Sequence, residues 1–171
     1  NPKTGYCIIK NIAFQHFSWE DYKKFLGKQI YNKYFKFSIV RHPVDRCISE
    51  YYWTPLYFGA QKGTSFDDFL INIENIVKER KFHETLWHDH FQPQSDYILN
   101  KDNIPQVDKI FRFENFSKIY KFLNKYTTET IKPHMKYNQQ NIKLTPTKQQ
   151  ILKIYKIYKK DFENFNYKID I

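Results

Sequence analysis

The chain has 171 residues and a formal net charge of +10, and 41% of its residues are hydrophobic and 19% aromatic. That length and apolar content predict a single folded domain over residues 1–171 with a substantial core, and they exclude a disordered tail. No apolar run is long enough to span a bilayer and no secretory leader is visible, so we expect no membrane segment in this chain.

The basic balance favours anionic partners, because a positive field attracts phosphates, sulfates, acidic glycans and nucleic acid. Most of the basic residues are lysines in a chain also rich in Asn, Ile and Tyr, which an AT-rich coding sequence would equally produce. The arginines are more informative, since a planar guanidinium suits bidentate binding of an anion. They number four and are Arg41, Arg46, Arg80 and Arg112.

The two cysteines, Cys7 and Cys47, are too few for a disulfide framework, and no Cys/His spacing suits zinc. We expect both to be small buried residues, with a single Cys7–Cys47 bridge as the alternative. The sequence predicts no metal site.

The chain opens on a loop, NPKTG, that runs into apolar residues at helical spacing (GYCIIKNIAF), which predicts a first helix. A loop so early in the chain suggests that an upstream strand, or a longer leader or anchor, has been removed. The next segment predicts a short helix with Ser18 as its N-cap, Asp21 at the capping-box position and Gly27 as its stop.

The rest of the chain alternates strands with helices. YFKFSIV and VDKIFRF predict strands, and Pro43 fits the first position of the helix that follows the first of them. Further helices are predicted over SFDDFLINIENIVKER, ENFSKIYKFLNKY and TPTKQQILKIYKIYKKDFENF. This order predicts an α/β fold with a central parallel sheet flanked by helices.

Ligands of such sheets bind at the carboxyl ends of the strands, and two loops occupy that kind of position. In PKTG, Lys3 offers a charge, Thr4 a hydroxyl, and Gly5 a close approach to the backbone N–H groups of a following helix. In VRHPVDRCIS, Arg41 ends a strand and lies near Ser49, so the two could meet a second phosphate.

Arg46 allows two interpretations. It could join Arg41 and Ser49 at that phosphate, or it could pair with Asp45 or Glu50 on a solvated helix face, and for Arg46 we favour the second.

Together the two loops resemble those of the carbohydrate sulfotransferases, in the branch that includes heparan sulfate 2-O-sulfotransferase-like enzymes. PKTG is similar to the family's 5′-phosphosulfate loop, and FSIVRHPVDRCISEYY is similar to its 3′-phosphate motif, with His42 in place of the usual Asn. The segments HFQPQSDYI, VDKIFRFENF, KPHMKYN and YKKDFENFNYKI also resemble family segments in the same order. The resemblance implies a three-layer, P-loop-like fold.

The resemblance also implies a cofactor, 3′-phosphoadenylyl sulfate (PAPS), and transfer of its sulfuryl group to a hydroxyl, with a glycan as the expected acceptor. The product would be 3′-phosphoadenosine 5′-phosphate. By this resemblance the 5′-phosphosulfate is held by Lys3, Thr4, Gly5, Tyr6 and Cys7, the 3′-phosphate by Arg41 and Ser49, and the rest of the nucleotide by Arg112, Lys132 and Lys143. Lys3 would also neutralise charge on the leaving oxygen.

The acceptor hydroxyl needs a general base, and histidine suits neutral pH. His16 resembles the base of the 2-O-transferring relatives, and His90 lies in the segment that lines their acceptor side. We expect one of the two to be the base, with Glu84 or Asp89 as a substitute or as an orienting group.

His83 and His88 are expected at the surface or in the acceptor loop. The aromatic run Tyr51, Tyr52, Trp53 and Tyr57 is expected in the core rather than on a ligand, whereas for Trp87 packing and sugar stacking are equally open.

Two other functions remain open from the residues alone. A nucleotide kinase of the same fold would need the standard phosphate loop and magnesium ligands, neither of which the sequence shows clearly. A non-enzymatic basic module would bind an anionic glycan or nucleic acid through a stripe such as KIYKIYKK. The ordered pair of loops favours the transferase and argues against nucleic acid. The compartment (cytoplasm or Golgi lumen) and the oligomeric state stay open.

Overall fold

The computed structural model describes residues 8–9, 12–14, 16–53, 63–82, 88–131 and 144–171. Near the start, β1 (Ile8–Ile9) pairs antiparallel with β2 (Ile12–Ala13). The predicted first helix is therefore wrong over these residues. Three of the four are isoleucines, whose branched Cβ favours an extended backbone and pairing between strands over a helix.

The predicted capping of the next helix is confirmed. Helix α1 (Trp19–Leu26) begins after Ser18, whose N–H donates to Asp21 Oδ2 at 2.8 Å while Asp21 N–H donates back to Ser18 Oγ at 3.2 Å. The helix ends at Gly27, which has a φ of 80° that glycine adopts without strain. A second short helix, α2 (Lys28–Lys33), follows directly.

The two predicted strands, β3 (Phe37–Val40) and β4 (Lys109–Arg112), are present and pair in parallel. Their register places Val40 opposite Arg112, so both carboxyl ends lie at one edge of the sheet. The described part of the chain is thus a mixed α/β structure with a two-stranded parallel sheet, which agrees with the predicted fold class. The three-layer arrangement with a larger sheet stays a prediction.

The helices around the sheet begin mostly where the sequence predicts. Pro43 is the first residue of its helix and Ser65 caps the next one, with its Oγ accepting the N–H of Asp68. The remaining helices are α3 (Pro43–Trp53), α4 (Phe66–Glu79), α5 (Gln94–Ile98), α6 (Phe116–Leu123), α7 (Lys148–Ile157) and α8 (Lys159–Asn164), with 3-10 turns at His88–Phe91 and Phe113–Asn115.

The prediction of one long final helix is wrong, because α7 and α8 are separated at Tyr158. Tyr158 is buried and its hydroxyl donates to the Phe91 carbonyl at 3.1 Å. The break is accompanied by deep burial of the next turn, since Asp161 and Phe162 are 0% and 2% exposed. Packing against the interior therefore overrides the continuous helical pattern of the sequence.

Helix α4 supplies more buried residues of the larger core than any other described helix. Its side chains Phe69, Leu70 and Ile73 are fully buried and belong to one cluster with Phe91 and Ile154. Burial of each such side chain stabilises the fold by about 1.5–3 kcal/mol. A smaller cluster of Val40, Ile98, Leu99 and Phe165 lies at the sheet. In the part of the chain that the structure describes, no helix has the length and apolarity needed to cross a membrane.

Candidate active site

One face of helix α3 is aimed at the 3-10 turn that contains His90. Arg46, Glu50 and Trp53 are spaced at i, i+4 and i+7, so they lie on the same side of the helix. All three contact His90. Arg46 binds the backbone carbonyl of His90, Glu50 lies beside its Nδ1 atom, and Trp53 stacks on its ring. The helix that carries the predicted 3′-phosphate residue Ser49 therefore also shapes the predicted acceptor side.

Arg46 connects these two segments of the chain. Its Nη2 donates to the carbonyl oxygens of His90 at 2.6 Å and Gln92 at 2.9 Å, and its guanidinium lies 5.7 Å from the Tyr158 ring centroid. Burial lowers the pKa of Arg46, but neighbours that include Tyr158 and Asp161 outweigh it and raise the pKa. The solvated ion pair favoured for Arg46 is wrong, since its guanidinium donates to backbone carbonyls instead. A contact of Arg46 with a phosphate stays a prediction.

Gln94 fixes the same segment to the end of β3. Its side-chain oxygen accepts the Arg41 N–H at 2.8 Å and its side-chain nitrogen donates to the Arg41 carbonyl at 2.9 Å. Asp161, which is buried, accepts the N–H groups of Gln94 and Ser95, both at 2.8 Å. The sequence indicated Gln94 only as part of a family-like segment. Its burial and its contacts with Arg41 follow from the fold and have no local signal in the sequence.

The structure brings the two predicted base residues together, although they are far apart in the chain. The ring centroids of His16 and His90 lie 4.5 Å apart and the rings are tilted by 55°. His16 has a φ of 89°, a region that costs a residue with a Cβ about 1–3 kcal/mol and that is enriched at functional sites.

Each of these histidines has its own carboxylate. Asp89 Oδ2 lies 3.7 Å from His16 Nε2, and Glu50 Oε2 lies 3.3 Å from His90 Nδ1. Burial lowers the pKa of His16; the Asp89 carboxylate opposes that effect, and His90 adds to it. His16 is therefore held toward its neutral form, in which a ring nitrogen can accept a proton. Glu84, the other predicted carboxylate, lies outside the described residues.

The side chains of His16 and His90 differ in solvent exposure. The His90 ring is stacked on Trp53 with a centroid distance of 4.4 Å, and its side chain is 14% exposed. The His16 side chain is 30% exposed. The expectation that Trp53 is a core residue is wrong, because it is 40% exposed and covers His90. For Tyr51 the core expectation is confirmed by its edge contacts with Phe66 and Phe69.

The predicted nucleotide residues are only partly within the described chain. Arg41 follows β3, and its guanidinium lies over the Phe113 ring at 4.8 Å. Among the residues that the structure describes, no carboxylate forms an ion pair with it. Ser49 lies on α3, half-buried. The predicted residues Lys3, Thr4, Gly5, Tyr6, Cys7, Lys132 and Lys143 lie outside the described residues.

Arg112 ends β4 at the same sheet edge as Arg41. Its Nη2 donates to the carbonyls of Phe165 at 2.6 Å and Asn166 at 3.0 Å, and its guanidinium lies 4.6 Å from the Tyr167 ring centroid. It thus ties the C-terminal segment to the sheet. Its predicted contact with the nucleotide stays a prediction.

His42, which replaces the family-like asparagine, acts as a helix cap. Its Nδ1 accepts the Val44 N–H at 3.3 Å, and its Nε2 is 3.0 Å from the Lys168 carbonyl oxygen. A histidine at this position therefore does the capping work that an asparagine side chain does at the start of a helix. Cys47, one turn into the helix, is buried as predicted, and burial raises the pKa of its thiol.

The pair of histidines also has the composition of a metal site. His16, Asp89 and His90 each offer one ligand atom, and these atoms all lie within 4.8 Å of one another. The sequence spacing gave no sign of this cluster, since it forms from two distant segments.

Comparison with known proteins gives one family. The model of the sulfotransferase family matches residues 9–168, nearly the whole chain, so the chain belongs to that family. Sulfuryl transfer is the general chemistry of this family, and membership supports the transferase over a non-enzymatic basic module. Neither the search of curated proteins nor the search of solved structures gave a match.

Proposed function

We propose that the chain transfers the sulfuryl group of PAPS to a hydroxyl of a carbohydrate acceptor, with His16 as the proton acceptor. The observation that carries the proposal is the meeting of His16–Asp89 and His90–Glu50 beside the helix that follows Arg41. The sulfotransferase family transfers a sulfuryl group, and a half-buried pair of histidines beside two carboxylates is suited to take the proton of an acceptor hydroxyl.

On the donor side, Arg41 and Ser49 bind the 3′-phosphate. Support comes from the position of Arg41 at the carboxyl end of a parallel strand, where ligands of such sheets bind. Its backbone is fixed at both N–H and carbonyl by Gln94, and Phe113 supports its guanidinium. A guanidinium without a carboxylate partner among the described residues is suited to a phosphate.

The rest of the donor site is assigned by family likeness. Lys3, Thr4 and Gly5, with the N–H groups of Tyr6 and Cys7, hold the 5′-phosphosulfate, and Arg112, Lys132 and Lys143 close over the nucleotide. These residues belong to a three-layer, P-loop-like domain in which the described β3–β4 pair is part of a larger central sheet.

The reaction is an in-line displacement at sulfur. The acceptor hydroxyl gives its proton to a ring nitrogen of His16 as its oxygen forms a bond to sulfur. The bond from sulfur to the 5′-phosphate oxygen breaks, and that oxygen leaves with the electron pair as 3′-phosphoadenosine 5′-phosphate, with Lys3 neutralising its charge. Asp89, 3.7 Å from His16, stabilises the imidazolium that forms.

We prefer His16 over His90 as the base because its side chain is more exposed and its backbone conformation is strained. His90 is enclosed by Trp53, Glu50 and the His16 ring, whereas His16 is about twice as exposed and has the unusual backbone conformation. In this proposal His90 positions the His16 ring.

The proposal is tested by transfer of radiolabelled sulfur from PAPS to a panel of neutral and acidic oligosaccharides and simple alcohols. We expect label in at least one carbohydrate and none when PAPS is replaced by adenosine 5′-phosphosulfate, which lacks the 3′-phosphate. Label that passes equally from both donors would contradict the assigned donor site, and label in no acceptor would contradict the carbohydrate class.

A further inference from the structure

We propose that His16, Asp89 and His90 bind a divalent transition-metal ion such as Zn²⁺, and that the bound ion blocks transfer. The ligand atoms of the three residues lie within 4.8 Å of one another, and His16 Nε2 and Asp89 Oδ2 are 3.7 Å apart. Zinc binds histidine nitrogen and carboxylate oxygen at about 2.0–2.2 Å, so two ligands of one ion lie about 3–4 Å apart. The distance between His16 Nε2 and Asp89 Oδ2 already falls in this range.

The donor set selects the kind of ion. Two imidazoles and one carboxylate suit zinc and other first-row transition metals, whereas magnesium and calcium prefer oxygen ligands alone. Three protein ligands also leave a coordination position for water or for a substrate oxygen. We therefore expect the site to discriminate strongly between Zn²⁺ and Mg²⁺.

The surroundings hold the ligands as a metal site requires. Glu50 Oε2 lies 3.3 Å from His90 Nδ1, and a carboxylate on the second ring nitrogen is the usual partner of a metal-binding histidine. Arg46 fixes the His90 backbone, and Trp53 covers one face of its ring. With side-chain exposures of 30%, 19% and 14% for His16, Asp89 and His90, the cluster is shielded yet open to an entering ion.

The sequence predicted no metal site, because the three ligands come from two distant segments and have no recognisable spacing. The blocking role rests on the proposed function. A metal bound to His16 takes the nitrogen lone pair that would accept the hydroxyl proton, so the ion and the acceptor compete for the same atom.

The test is calorimetric titration of the whole chain with zinc chloride in a buffer that does not bind metal. We expect one ion per chain, no comparable binding of Mg²⁺, and loss of the zinc signal in both His16→Gln and Asp89→Asn. Glu50→Gln, which removes only the outer carboxylate, should weaken zinc about 10–100-fold. His88→Gln, a histidine change outside the cluster, is the matched control and should bind zinc as the wild type does.

The metal site and its blocking role are contradicted by different results. Wild type that binds no zinc, or His16→Gln and Asp89→Asn that bind it undiminished, would overturn the site; if one variant fails to fold, the other decides. Zinc that binds but leaves the transfer rate unchanged at saturation would overturn the blocking role. Zinc binding needs neither donor nor acceptor, so it is measured even if the chain transfers no sulfuryl group, and failure of the proposed function would be seen separately.

Discussion

Replacing Arg46 with methionine should destabilise the fold by about 3–6 kcal/mol, because it removes two hydrogen bonds of a charged group in a largely enclosed site, each contributing about 1.5–3 kcal/mol. Two carbonyls, those of His90 and Gln92, lose their hydrogen bonds, and the buried Asp161 loses a neighbouring positive charge. Urea unfolding followed by circular dichroism measures the loss. Arg46→Lys keeps the charge but not the planar guanidinium, so its free energy of unfolding should lie between those of wild type and Arg46→Met.

The matched control is Lys159→Met. Lys159 also forms an ion pair, with Glu163 at 3.6 Å, but both side chains are more than half exposed. Exposed pairs of this kind contribute about 0.2–1 kcal/mol, so the free energy of unfolding of this variant should be close to that of wild type. Equal stabilities of Arg46→Met and Lys159→Met would show that Arg46 does not hold the two segments together.

The second large effect is expected on turnover. His16→Gln should lower kcat by about 10²–10⁴-fold, the usual contribution of a general base, while the donor binds as before. Glutamine keeps the approximate size of the side chain and its hydrogen bonding but cannot take a proton at neutral pH. Sulfuryl transfer from PAPS under acceptor saturation gives kcat, and calorimetry with 3′-phosphoadenosine 5′-phosphate gives donor affinity.

His90→Gln is the comparison that decides between the two candidates. If His90 only positions the neighbouring ring, His90→Gln should lower kcat less than His16→Gln does. It should also raise KM. A larger fall in kcat for His90→Gln than for His16→Gln would show that His90 is the base. Loss of donor binding in either variant would mean that the histidines serve the nucleotide instead.

Local signals in the sequence predicted much of the fold. Ser18 with Asp21 and Ser65 mark helix starts because their side chains accept the first backbone N–H groups wherever the helix packs. Pro43 marks one because it has no N–H that needs a partner and its φ already suits a helix. The partly alternating segment YFKFSIV marks a strand because successive side chains of a strand point to opposite faces of the sheet. Signals of this type depend on neighbours in sequence and survive tertiary packing.

Two of the errors have a common cause in long-range contacts. The break at Tyr158 follows from burial against Phe91, and the commitment of Arg46 follows from carbonyls more than forty residues away. Periodicity and pairing rules carry no information about such contacts. The error at Ile8–Ile9 is different, because it is local: helical spacing predicted a helix where pairing with the nearby Ile12–Ala13 gives strands.

The candidate site was predicted in its members but not in its arrangement. His16 and His90 were each selected by chemistry and by resemblance, whereas their contact, the pairing with Asp89 and Glu50, and the Trp53 cover need the fold. The family match agrees with the sequence-based class and supports sulfuryl transfer in general. The donor loop at Lys3–Cys7 stays a prediction.

The proposed donor site is tested most directly by calorimetric binding of 3′-phosphoadenosine 5′-phosphate, beside ATP and 5′-AMP, to wild type and Arg41→Ala. We predict selective binding of the 3′-phosphorylated nucleotide. Arg41→Ala should weaken it about 10–100-fold, because a charge-assisted hydrogen bond contributes about 1.5–3 kcal/mol, while Arg80→Ala should not. Equally weak binding of all three nucleotides, unaffected by Arg41→Ala and removed together by salt, would contradict a PAPS-dependent sulfotransferase.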